Sequence, residues 1–196
     1  MPARLLRDNA FLVGAVSLPV AVVGLFLLAT AIPRWTVSPP GYDLLLQTTE
    51  YDRAHSSISV ELFVRDEALQ ARLRVVKDAQ TPRVRLWRFD HTTLSAREVP
   101  MDLPTLDGDV DVAQTVVVEA VRGRRIVTDT KAPDGYQLRT PDGGGPGVIG
   151  EIFGMHRYGQ PTAIVNRGRV VPIDIQTSNQ YQAPAFVGWV VDGGGG

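Results

Sequence analysis

The stretch from Ala10 to Ile32, AFLVGAVSLPVAVVGLFLLATAI, runs for 23 residues without a charged side chain. A helix of that length rises about 1.5 Å per residue and so matches the ~30 Å hydrocarbon core of a bilayer. A globular core helix seldom stays apolar for so long on every side, so this run constrains the chain more than any other feature. It predicts a transmembrane signal-anchor helix over residues 10–33. Trp35 follows, where an interfacial ring sits half in lipid. Pro19 lies inside the span and removes one helix hydrogen bond, which membrane helices tolerate. A cleaved signal peptide is the competing reading, and Ala29-Thr30-Ala31 resembles its cleavage site. The apolar run is nevertheless longer than the 7–15 residues of such a segment.

The flanks set a direction. Arg4 and Arg7 precede the run, and beyond it Arg34 is the only basic residue before Arg53. The positive-inside bias therefore predicts a cytoplasmic N-terminus (1–9) and an extracytoplasmic remainder. Only two of the 20 basic residues are lysine, Lys77 and Lys131, which points to a GC-rich, bacterial genome and hence to the inner membrane and periplasm.

Within the run, Ala10, Gly14, Ser17, Ala21, Gly24 and Ala31 recur at helical spacing, interrupted only by Leu28. Lipid offers no hydrophobic drive for helices to associate, so close backbone approach across small residues is the usual means. The stripe is the expected packing face toward integral-membrane partner subunits.

Residues 34–196 carry 18 Lys+Arg and 20 Asp+Glu, an ordinary soluble surface of net −2. The whole chain is at −1, which excludes a basic nucleic-acid binder. It has no cysteine, and that removes disulfides, thiolate metal sites and thiol catalysis. Residues 34–41, with Pro39-Pro40, read as a stiff spacer. Residues 42–191 alternate with period 2: a hairpin over 57–77, strands at 84–89 and 94–99, and a pair at 115–121 and 124–130 around Arg122-Gly123. Further strands are expected at 136–139, 170–176 and 186–191, with Ala-Pro-Asp-Gly (132–135) as a turn. Many short strands at close spacing predict an all-β, antiparallel domain, sandwich or barrel-like, carrying one N-terminal transmembrane helix. Asp192 and four glycines are expected to form a flexible tail over 192–196.

Chemistry-bearing motifs are sparse. Gly145, Gly147 and Gly150 match G-x-G-x-x-G, but the surroundings look antiparallel and Pro146 lacks an N–H that a phosphate would need. Asp107, Asp109 and Asp111 are spaced like the first ligands of a calcium loop. Val112 and Val118 then stand where its glycine and its glutamate belong, so the trio is a weak metal candidate. His55, His91 and His156 have no metal or triad spacing, and no nucleophile-elbow sequence is present. Neither a cofactor nor catalysis is expected. Arg72, Arg74, Arg83 and Arg85 occupy polar positions of expected strands, and Trp87 and Phe89 continue the second register. Arginine with aromatics is the composition of protein-binding surfaces, so these six form the expected partner face. The chain thus reads as a non-catalytic accessory or scaffolding subunit of an inner-membrane complex. The alternatives are a membrane-tethered small-ligand or cation-binding module, or a tethered hydrolase.

Overall fold

Alternation and turn chemistry translate into strands in the computed structural model, which describes residues 10–50, 58–76, 81–104, 113–140, 162–175 and 183–191, the side chains at 10–14, 30, 33 and 34 excepted. The chain divides into two compact units, Met1–Ser38 with Arg167–Arg169, and Pro39–Asn166 with Val170–Gly196.

In the first unit, α1 covers Ala10–Thr36 and passes through Pro19 without ending. It runs beyond the expected boundary at residue 33 and takes Arg34 to Thr36 from the expected spacer. The Thr36 hydroxyl donates to the Ile32 carbonyl at 3.0 Å, satisfying one of the acceptors that a helix end leaves open. Among the residues whose side chains are described, which in α1 run unbroken only from 15 to 29, no helix is long and apolar enough to cross a membrane.

The second unit is all-β, and its described strands form three antiparallel sheets. The largest contains β1 (Asp43–Glu50), β4 (Arg83–Asp90), β5 (Ser95–Val99), β7 (Arg125–Val127) and β11 (Ala185–Val191), in the order β5-β4-β1-β11-β7. A second joins β2 (Ile58–Arg65), β3 (Ala68–Val75) and β6 (Ala113–Val117), in the order β2-β3-β6. The third joins β8 (Gln137–Arg139), β9 (Ala163–Asn166) and β10 (Arg169–Pro172), with β9 central.

Three departures from the sequence expectation have physical causes. The strand β1 was not anticipated because it does not alternate: Leu44, Leu45 and Leu46 are all fully buried. A central strand covered on both faces reads as a continuous apolar run. The strand β9, Ala-Ile-Val-Asn, is too short for its period to register. The pair expected around Arg122-Gly123 does not form. Instead β6 pairs with β3 and β7 pairs with β11, so the chain changes sheets through a 3-10 turn at Glu119–Val121. Val121 is buried in that turn and makes the apparent strand continuous in sequence.

The five-stranded and the β2-β3-β6 sheets meet across one apolar cluster. Leu45, Leu86, Ile126, Val187 and Val190 come from the first sheet, Leu69 and Ala71 from the second, and Val118 and Val121 from the connection. The loop after β5 adds Met101 and Leu103. On the opposite face of the large sheet, Leu44, Leu46, Phe89 and Trp189 are likewise buried. The ladder between β1 and β11 shifts between Leu45 and Leu46, where β11 carries Val187 as an extra residue, a bulge. Beside it, an added Cβ on Gly188 would stand 2.5 Å from Ile126 Cγ2 and 2.9 Å from the Val127 carbonyl oxygen, so glycine is the residue this crossing admits. The Ala-Pro-Asp-Gly turn forms as expected: the Gly135 amide donates to the Ala132 carbonyl at 2.8 Å, and Gly135 takes φ +94°. The Asp134 carboxylate then accepts the Gly41 amide at 2.7 Å, fixing the residue where the chain enters this unit's first strand.

Candidate functional site

The strands bring together four polar side chains far apart in sequence, at the end of the β1–β4 ladder. Asp43 opens β1, Arg88 and Asp90 lie near the end of β4, and His91 begins the turn to β5. Asp43 is buried, and its carboxylate is enclosed by donors. Oδ2 accepts Arg88 Nε at 2.7 Å and Nη2 at 2.5 Å. Oδ1 accepts the His91 amide at 2.9 Å and meets His91 Nδ1 at 2.7 Å. Burial pushes the Asp43 carboxyl upward, but the hydrogen bonds from the His91 backbone, the His91 ring and Arg88, with the Arg88 charge, outweigh it. The group is held below the ordinary carboxylate range. Asp90 faces the turn instead. The Thr92 hydroxyl at 2.6 Å, with the Thr93 and Thr92 amides, pulls its carboxyl down to about 2.

Asp43, Asp90 and His91 each offer a ligand atom within 4.8 Å of the others, the spacing of a cation site. The donor set argues against that use. Every direction from which Asp43 could bind a cation is taken by Arg88 or His91, and a guanidinium lies where the cation's charge would be. The cluster is a clasp closing the β4–β5 turn onto β1. Sequence reading missed it because no local spacing links residue 43 with residues 88–91.

The expected partner face is not one surface. Arg72 and Arg74 belong to β3 and Arg83 and Arg85 to β4, strands that lie in different sheets. Arg72 sits on the outer side of the small sheet, paired with Glu61 at 3.2 Å and stacked 5.1 Å from the Phe63 ring centre. Arg74 is exposed on that same side. The β4 register holds as expected, yet it runs inward: Arg83 is exposed, Arg85 is shared between Glu50 at 2.8 Å and Glu98 at 3.2 Å, and Trp87 and Phe89 are buried. Trp87 Nε1 donates to Thr48 Oγ1 at 2.9 Å inside the fold. The two aromatics are core residues, because both faces of β4 are covered near β1.

All six stripe positions, Ala10, Gly14, Ser17, Ala21, Gly24 and Ala31, fall within α1. An added Cβ on Gly24 meets nothing within 4 Å, so that position is open on this chain. The Asp107, Asp109 and Asp111 trio, the Gly145–Gly150 motif, His55, His156 and the 192–196 tail lie outside the described residues.

One cavity adjoins the two-sheet core, with a volume of about 410 Å³. Val60 and Leu73 of the small sheet face Val84, Leu86 and Val99 of the large one across it, and Met101 and Leu103 border it. No family model, curated protein or solved structure matches the chain.

Proposed function

We propose that this chain is a non-catalytic accessory or scaffolding subunit of a multi-subunit bacterial inner-membrane complex. The N-terminal helix anchors it, with the N-terminus cytoplasmic and the β-domain periplasmic. The observation that carries this reading is the surface of α1. Val16, Leu18, Val20, Val22, Val23, Leu25, Phe26, Leu27 and Leu28 point to every side of the helix and are each 57–72% exposed. A helix apolar all round belongs in a protein core or a bilayer, and contiguous exposed apolar surface on this scale marks an interaction site. The uncharged sequence from 10 to 32 supplies the length for a bilayer, and Arg4 and Arg7 supply the orientation.

The non-catalytic reading is supported by how the titratable groups that gather are used. Arg88 and His91 fill the lone pairs of the Asp43 carboxylate, so that group is engaged in closing the β4–β5 turn onto β1 and is not presented to a substrate.

Purification of the full chain from its own membrane in mild detergent, followed by mass spectrometry, tests the subunit role. An integral-membrane protein should accompany it in stoichiometric amount. Gly14→Leu with Gly24→Leu should remove that partner, because leucine is as comfortable in lipid but holds helices apart, a loss of about 1–2 kcal/mol or roughly tenfold in association. Val16→Leu with Val23→Leu, off the stripe, should retain it. A chain that purifies alone from its native membrane contradicts the subunit role.

A further inference from the structure

We propose that the turn Arg167-Gly168-Arg169, held against the C-terminal end of α1, binds the headgroup phosphate of an anionic phospholipid beside Trp35. The site rests on the membrane reading of α1 and adds to it a selective lipid contact at one end of the helix.

The two arginines of the turn have different tasks. All three residues belong to the same compact unit as the helix. Arg169 Nη1 donates at 2.6 Å to the carbonyl of Val37, 132 residues away in sequence and the first residue beyond the helix. A guanidinium placed there meets the negative end of the helix dipole, so Arg169 serves the helix end. Arg167 has no such duty. It is exposed, and among the described residues its side chain has no hydrogen-bond or ion-pair partner. It also stands at φ 43°, the first of two left-handed residues, with Gly168 following at 87°. Asparagine and glycine enter such a turn readily, whereas a long side chain is strained there. The chain thus keeps a cation in a strained position without using it in the fold, which points to a partner outside the chain.

Charge and position select that partner. The unit's only carboxylate side chain is Asp8, which precedes α1. The 27 residues of α1, at about 1.5 Å each, put roughly 40 Å between that end and this one. Trp35 lies in the last turn of the helix and is 78% exposed. An exposed indole at the end of an apolar helix suits the headgroup layer, where its ring meets acyl carbon and its N–H meets polar groups. A phosphodiester at that depth is the acceptor that a guanidinium matches with two parallel N–H bonds. Phosphatidylcholine brings its own ammonium to that phosphate, while phosphatidylglycerol leaves the charge uncompensated, so the turn favours the second.

The three tryptophans supply the test. Trp87 and Trp189 are 7% and 1% exposed, so a quencher carried by lipid reports on Trp35. The full chain is placed in phosphatidylcholine nanodiscs holding a minor fraction of phosphatidylglycerol. Bromine is carried on the acyl chains of either the phosphatidylglycerol or an equal amount of the phosphatidylcholine. The brominated phosphatidylglycerol should quench about fivefold more strongly, the preference that one arginine at a lipid surface confers. Arg167→Asn removes the cation and creates the favoured Asn-Gly turn, so it should melt no lower than wild type while the two lipids quench nearly equally. Concentrated salt should likewise erase the preference, because the contact is exposed. Equal quenching by both lipids in the wild type overturns the headgroup site and leaves the anchor standing. A preference that persists in Arg167→Asn overturns the site as well. Quenching by neither lipid means that α1 is not in the bilayer, and both readings fall. Loss of the preference on adding inorganic phosphate at constant ionic strength makes free phosphate the ligand and overturns the lipid.

Discussion

Replacing Gly188 with alanine puts one methyl group where the structure has no room for it. The added Cβ would lie 2.5 Å from Ile126 Cγ2 and 2.9 Å from the Val127 carbonyl oxygen. The first contact is with a buried side chain at 1% exposure, and the second is with the backbone of a paired strand. Neither can swing aside as the tip of a surface side chain would. Two effects oppose each other. Alanine reduces the freedom of the unfolded chain, a gain of about 0.4–1 kcal/mol where the native backbone accepts it. Overpacking a filled core costs typically about 1–3 kcal/mol, and here the backbone contact places it at the upper end. The clash wins, and a net loss of about 2 kcal/mol is expected, equivalent to a fall of roughly 4–8 °C in melting temperature. Thermal and urea unfolding followed by circular dichroism measure it. Ile126→Ala removes the nearer obstacle at its own cost of about 2–5 kcal/mol, so the double variant should be more stable than the sum of the singles implies. It should not recover fully, because the Val127 carbonyl remains. Gly188→Ala at wild-type stability, or strict additivity in the cycle, would refute this account of how β7 seats against the bulge.

The Asp43 clasp should show in acid. Its carboxyl is held down in the folded chain, so its contribution is present above about pH 4, the ordinary carboxylate value, and is lost as pH falls through the lower folded value. Asp43→Asn should therefore cost about 1–3 kcal/mol at pH 7, and the gap to wild type should narrow steadily below pH 4; a gap constant down to pH 2 contradicts the clasp. The β2–β3 turn holds Asp66 and Glu67 at φ 51° and 60°, a pair of left-handed residues that asparagine and glycine adopt more readily. Asp66→Asn with Glu67→Gly gives up two exposed, solvent-screened ion pairs, Asp66 with Arg65 at 3.8 Å and Glu67 with Arg125 at 2.6 Å. It relieves strain of order 1 kcal/mol or more per residue, so a raised melting temperature is expected and a lowered one would count against the strain.

What the sequence made legible follows from how locally each feature is encoded. The β2–β3 hairpin could be read because Leu69, Ala71 and Leu73 alternate with polar residues beside a wet outer face. The β1 strand could not, because Leu44 to Leu46 serve two cores at once and lose the alternation. The sheet change at Glu119–Val121 was hidden for a related reason: Val118 and Val121 are buried although only the flanking residues are strand. Arg83, Arg85, Trp87 and Phe89 were placed on one register correctly, but register does not say how deep a strand lies, and two of the four proved to be core. The Asp43–Arg88–His91 clasp and the cavity rest on contacts between segments tens of residues apart, which no spacing rule reports.

The most direct measurement of the central claim exploits the absence of cysteine from the chain. Single cysteines are introduced at Asp66, in the exposed β2–β3 turn, and at Ala3, ahead of the apolar run. Each variant is expressed in bacterial spheroplasts and treated with a membrane-impermeant maleimide before and after lysis. With the β-domain held outside the inner membrane by the 10–32 segment, Asp66→Cys reacts in intact spheroplasts and stays with the membrane through alkaline carbonate, while Ala3→Cys reacts only after lysis. Protection of Asp66→Cys until lysis, or its release by carbonate as an intact chain, would contradict the account.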